Sequence, residues 1–148
     1  MRNKRFIFIP LLLIFLFSPF LALAGSNASN PENKTEKILV VTPKQAWKMI
    51  QENRGNPNFV LLDVRTPKEF FKERLAGAIM LDFYSLNFNN ELGKLDRNKT
   101  YLVYCKTGVK SDSARKVMLK MGFKKVYNML EGITGWVKYG LPVVKGAP

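Results

Sequence analysis

The run Phe59 to Val64 (FVLLDV) is apolar at every position but one, and no other feature constrains the fold of this chain as strongly. A strand with one solvated face alternates apolar and polar residues. A continuous apolar run belongs to a strand covered on both faces, the usual situation in a parallel sheet. The residues that follow, Thr66-Pro67-Lys68-Glu69, form a capping box with proline in the first turn, so a helix starts at once. Strand followed directly by helix is the opening of a βαβ unit.

The same grammar continues along the chain. Ile38 to Val41 is a short apolar run, and Thr42-Pro43 supplies an N-cap and first position for a helix reaching about Asn53, with Ala46, Trp47, Met49 and Ile50 on its inner side. Gly55-Asn56-Pro57 ends it. Gly77-Ala78 turns into a short strand at Ile79-Met80, and Tyr84 to Leu92 reads as a short Asn-rich helix or a loop. Tyr101 to Tyr104 is a second central strand, ending at Cys105. After the loop Lys106 to Lys110, Ser111 is placed to cap a helix whose apolar positions are Ala114, Val117, Met118 and Met121. Val126-Tyr127 is a further strand and Ile133 to Tyr139 a last short helix. The expected architecture is α/β, a parallel sheet with helices on both faces. Ligands in such folds bind at the carboxyl ends of strands, and Cys105 lies at one.

The N-terminus has a different character. Arg2, Lys4 and Arg5 precede an apolar stretch from Phe6 to Phe17, and Ala22-Leu23-Ala24 closes it with small residues. This is the three-part pattern of a secretory signal peptide, residues 1–24. Pro10, Ser18 and Pro19 interrupt the stretch, which falls short of the roughly 20 residues of a spanning helix, so no transmembrane anchor is expected after cleavage. Residues 25–37 (GSNASNPENKTEK) read as a flexible leader and residues 38–145 as one domain. The expected location is the periplasm of a Gram-negative bacterium, or otherwise the secreted medium. Removing the three basic residues of the signal leaves a chain still strongly basic, from a formal net charge of +13. Such a surplus favours anionic ligands. The lysines are scattered, and nucleic acid is not expected as a partner.

Cys105 is the single cysteine, and the chain has no histidine. An internal disulfide is excluded, and so are Cys-His dyads, Ser-His-Asp triads and His-bearing metal sites. A thiol here can be activated only by other means: the partial positive charge of the following helix N-terminus and the ammonium groups of Lys106 and Lys110. Gly108 permits the positive φ of a concave loop. A cysteine ending an apolar strand is equally at home in a core. A glycine-containing loop with two lysines directly after it is what sets Cys105 apart.

The segment YCKTGVKSDSARKVMLKMGFKKVYNMLEGITGWVKYGLPV resembles the active-site half of rhodanese-type sulfurtransferases, and LLDVRTPKEFFKERLAGAIML resembles the earlier half. The resemblance covers Ile38 to Val143. It implies a rhodanese-like three-layer sandwich with a five-stranded parallel sheet, and an active loop from Cys105 to Lys110. It further implies sulfur transfer through a Cys105 persulfide from thiosulfate or another small anionic donor to cyanide, a thiol or a protein cysteine. The N–H groups of Thr107, Gly108, Val109 and Lys110, with Ser111 at the helix start, would hold the persulfide. Lys106 and Lys110 would attract the donor, and Arg65 of the DVR sequence is a candidate contact whose alternative role is to orient loops with Asp63. No cofactor or metal is implied, and a monomer is expected.

Three positions depart from the family pattern: Lys110 replaces an arginine, Glu73-Arg74 a Gly-His pair, and Glu131-Gly132 a Gly-Gly pair. The first puts the donor in question, because lysine lacks the guanidinium fork. The other two are expected to lie outside the chemistry. Cysteine phosphatases use C-x5-R loops, which would need arginine at position 111, where serine stands. A persulfide carrier with little turnover on small donors is the remaining alternative from a different class.

Overall fold

In the computed structural model, which describes residues 39–146, the apolar runs become the inner strands of one sheet. The signal peptide and leader expected at residues 1–24 and 25–37 lie outside the described residues. The elements in order are β1 (Val40–Val41), α1 (Pro43–Glu52), β2 (Phe59–Asp63), α2 (Pro67–Lys72), β3 (Ile79–Met80), α3 (Phe88–Gly93), β4 (Thr100–Tyr104), α4 (Val109–Lys120), β5 (Lys125–Met129) and α5 (Gly132–Lys138). The five strands pair in the order β1-β5-β4-β2-β3, every pair parallel. The ambiguous stretch from Tyr84 resolves into a turn followed by α3.

Local sequence explains the helix starts. Thr42 and Thr66 each accept a bond from the N–H three residues on, and Gln45 and Glu69 reach back to close both capping boxes. Pro43 and Pro67 occupy first-turn positions whose N–H would have no helical partner in any case.

Both faces of the sheet are covered, as the unbroken apolar runs require. Tyr101 and Val103 of β4 point to one face, with Leu62, Phe88 and Leu92 of α3, and Ala114 and Met118 of α4. Leu102 and Tyr104 point to the other, against Ala46 of α1, Ile133 and Trp136 of α5, and Met129. Trp47 stands edge-on to Trp136 with ring centres 5.7 Å apart. Cys105 continues the alternation of β4, so its side chain falls on the α3/α4 face.

The strand order fixes where a site can form. From β2 the sheet grows toward β3, and from β4 it grows toward β5 and β1, so the direction reverses between β2 and β4. Asp63 at the end of β2 pairs with Tyr104 at the end of β4. Just beyond, Val64 comes level with Cys105, and Arg65 follows one residue later, its guanidinium over the Tyr104 ring, so both chains leave the sheet at the topological switch point.

Leu62 sits fully buried in the middle of this sheet. Leu62→Ala is expected to cost about 2–5 kcal/mol, read as a lower urea midpoint with an unchanged denaturant slope.

Candidate active site

Cys105 is 1% exposed, and its sulfur is met by donors rather than left in an apolar pocket. The Gly108 N–H donates to Sγ at 3.2 Å and the Ser111 hydroxyl at 3.4 Å. Burial is the largest single influence on this thiol and pushes its pKa up. The Ser111 hydroxyl and N–H, followed by the N–H groups of Thr107 and Gly108, outweigh burial, so the net pKa is lowered. The thiolate is favoured by directed hydrogen bonds, in a shell of neutral donors.

The helix behind the loop starts earlier than its sequence suggests. Gly108, not Ser111, is the N-cap of α4, with φ 92°. A serine is ordinarily the better cap because its side chain satisfies an open N–H. Here the Ser111 hydroxyl turns to Sγ instead, and glycine supplies the left-handed turn that curls the loop over the sulfur. Val109, Lys110 and Ser111 thereby become the first turn of α4, where helix N–H groups have no intrahelical partner and face the anion site.

Two neighbours hold this loop in shape. Asn128 of β5, 3% exposed, donates its amide N–H to the Gly108 carbonyl at 3.1 Å. The first turn of α5 takes the other side: Ile133 N–H donates to the Cys105 carbonyl at 2.9 Å and Thr134 N–H to the Lys106 carbonyl at 3.0 Å. The backbones approach so closely at Gly132 that a Cβ there would lie 2.3 Å from the Cys105 carbonyl oxygen. Gly132 is thus part of the frame of the loop, a supporting role next to the chemistry. Glu131 beside it has φ 59°, the one non-glycine residue with positive φ among the described residues. Neither Asn128 nor Gly132 stands out in the sequence by chemistry; the one available signal was the glycine of the departing Glu131-Gly132 pair.

The charged residues divide. Arg65 is 3% exposed and grips Asp63 through Nε at 2.9 Å, and its Nη2 donates to the Glu73 carbonyl at 2.7 Å. Its charge is committed to tying the end of β2 to the end of α2, which is the loop-orienting role. Lys106 is exposed beside the loop and lines a cleft. Lys110 carries its ammonium over the Tyr84 ring, 4.4 Å from the centre, and also acts on Glu69. Thr107 and Val109 are exposed at the rim. The assembled site is a buried, hydrogen-bonded thiol under a ring of open N–H groups, with two lysines at its edge. Such a site can generate a thiolate, attack a soft atom and hold the anion that results.

A family model described as "Rhodanese-like domain" matches residues 42–139. The thiosulfate sulfurtransferase GlpE of Glaesserella parasuis is 33% identical over 111 residues, covering 75% of this chain and 97% of that protein. The thiosulfate sulfurtransferase GlpE of Actinobacillus succinogenes is 34% identical over 103 residues, covering 70% and 87%. Among solved structures, the 30 kDa polysulfide-sulfur transferase homodimer from Wolinella succinogenes aligns with a TM-score of 0.60 at 30% identity, over 74% of this chain and 80% of that one.

Two outcomes are expected from the geometry. Only the thiolate is alkylated, so a lowered pKa keeps Cys105 reactive at lower pH. Ser111→Ala removes the leading stabilising bond, and the midpoint of the iodoacetamide rate against pH should move upward while circular dichroism stays unchanged. Gly132→Ala forces a shift of the Cys105-Lys106 backbone as well as a left-handed alanine, and should cost roughly 2–4 kcal/mol in thermal or urea unfolding.

Proposed function

The chain belongs to the rhodanese-like domain family and is a sulfurtransferase, and we propose that it moves sulfane sulfur from thiosulfate or a related anionic donor through a persulfide on Cys105. The observation that carries this reading is the sulfur of Cys105 held under the Gly108 N–H and the Ser111 hydroxyl. The Cys105 thiolate attacks the outer sulfur of the donor. A sulfur–sulfur bond forms to Sγ as the bond to the sulfonate sulfur breaks, and sulfite leaves with the electron pair. The persulfide bears the negative charge at its outer sulfur, where the open N–H groups of Val109 and Lys110 and the loop N–H groups of Thr107 and Gly108 supply donors. An acceptor (cyanide, a thiol or a protein cysteine) then attacks that sulfur and returns Sγ as thiolate.

Lys106 and Lys110 draw the donor anion to the mouth. Arg65 acts one step back, holding Asp63 and Glu73 so that the loop ends keep their places. The loss of an arginine fork at Lys110 leaves a single ammonium, already engaged with Tyr84, to meet the donor. This favours donors recognised by charge over those recognised by a bidentate oxyanion contact. The basic, apolar and small-residue pattern of residues 1–24 supports export, with the reaction in the periplasm.

Incubation of the protein with thiosulfate should add the mass of one sulfur atom, removable by cyanide with thiocyanate as product. Cys105→Ser should abolish the gain. Labelling by polysulfide without labelling by thiosulfate would move the donor assignment to polysulfide, with Lys110→Arg as the variant expected to restore thiosulfate. Loading without discharge to cyanide or small thiols would identify a carrier that serves a protein acceptor. No gain from either donor would overturn the persulfide reading.

A further inference from the structure

Beside the loop lies a cleft of about 290 Å³ between α2 and α5, just below the roughly 300–1,000 Å³ typical of ligand sites and of a size for a small molecule only. Lys106, the residue after Cys105, forms one wall. Glu69, Lys72 and Glu73 line the cleft from α2 and its end, and Ile133 and Val137 of α5 add apolar surface. Arg65 also borders it, with its charge already neutralised by Asp63.

What remains facing the cleft is two carboxylates and two ammonium groups, and among the described residues none of the four is in an ion pair. Their charges sum to zero, so a dianion such as thiosulfate gains little by entering. A small molecule carrying one charge of each sign meets a partner for both. Glu69 stays ionised: burial pushes its carboxyl up, but bonds from the Thr66 hydroxyl and N–H, with Lys110 and Arg65 nearby, hold it below the usual range. Lys106 lines the cleft, and Thr134, also in its lining, donates its N–H to the Lys106 carbonyl at 3.0 Å, so the cleft lies directly against the active loop.

We propose that this cleft seats the sulfur acceptor, and that the acceptor is a thiol bearing an ammonium and a carboxylate on one small skeleton. Glu69 and Glu73 take the ammonium, Lys72 and Lys106 the carboxylate, and the methylene lies on Ile133 and Val137. The inference rests on the persulfide reading of Cys105. The acceptor thiolate attacks the outer sulfur, a new sulfur–sulfur bond forms to it, and the bond to Sγ breaks with its pair returning to Cys105. The acceptor leaves as a persulfide, and no outside oxidant or reductant is consumed. Glu73, one of the departures from the family pattern, is thereby a specificity residue.

The test starts from protein loaded with one sulfur, verified by intact mass, and follows single-turnover discharge to L-cysteine, to 3-mercaptopropionate, which lacks the ammonium, and to cysteamine, which lacks the carboxylate. Comparing each variant with wild type on the same thiol cancels differences in thiol reactivity. Glu73→Gln, and Glu69→Gln in parallel, should slow cysteine and cysteamine by about threefold, the scale of one exposed ion pair, and should not slow 3-mercaptopropionate. Lys72→Gln should slow cysteine and 3-mercaptopropionate by about the same factor and spare cysteamine. Equal changes across the three thiols, or no change in any, would overturn the acceptor assignment while leaving the persulfide standing. Failure of the wild-type protein to load would overturn both.

Discussion

The hydrogen bonds that converge on the sulfur of Cys105 are the interaction on which the rest of the site depends. A side chain buried this deeply resists carrying charge, because the interior solvates it poorly. Without histidine, the chain must supply compensation from backbone N–H groups and one hydroxyl. These donors have fixed directions and short reach, so every element around the loop is positioned to deliver them. Gly108 bends the chain so that its own N–H faces Sγ, Asn128 donates to the carbonyl of the same glycine, and α5 ties the Cys105 and Lys106 carbonyls from the other side.

The parallel sheet makes this convergence affordable. With β2 and β4 adjacent and in register, their carboxyl ends bring the chain at Arg65 and at Cys105 to the same end of the sheet. The Arg65–Asp63 pair is nearly fully buried, where a broken partner would leave an uncompensated charge. That cost makes the pair a rigid corner: it fixes the end of β2 and, through the Glu73 carbonyl, the end of α2, which forms a wall of the neighbouring cleft. The two lysines of the loop then act at its edge, by attraction over distance, while hydrogen bonds act at its centre.

Much of this was legible in order along the chain. FVLLDV and YLVY announce covered strands because an unbroken apolar run suits a strand covered on both faces, and the Thr42-Pro43 cap and the Thr66 capping box mark the starts of their helices to the residue. Cys105 could be read as a site residue from its loop. The start of α4 could not: Ser111 has the chemistry of an N-cap, and only the nearby sulfur diverts its hydroxyl. Likewise Asn128 is one asparagine among many until β5 is laid beside β4.

By itself, the sequence determined the periodicity, the caps, the absence of histidine and the single thiol, because these are local properties or simple counts. From them follow a parallel α/β domain and a thiol that must be activated without imidazole. Only the tertiary structure decided which groups perform that activation. The donors to Sγ depend on how the loop curls, and the close approach at Gly132 and the balanced charges of the cleft join residues on different elements. Hydrogen bonds and contacts of this kind depend on tenths of an ångström, which no spacing along a sequence encodes.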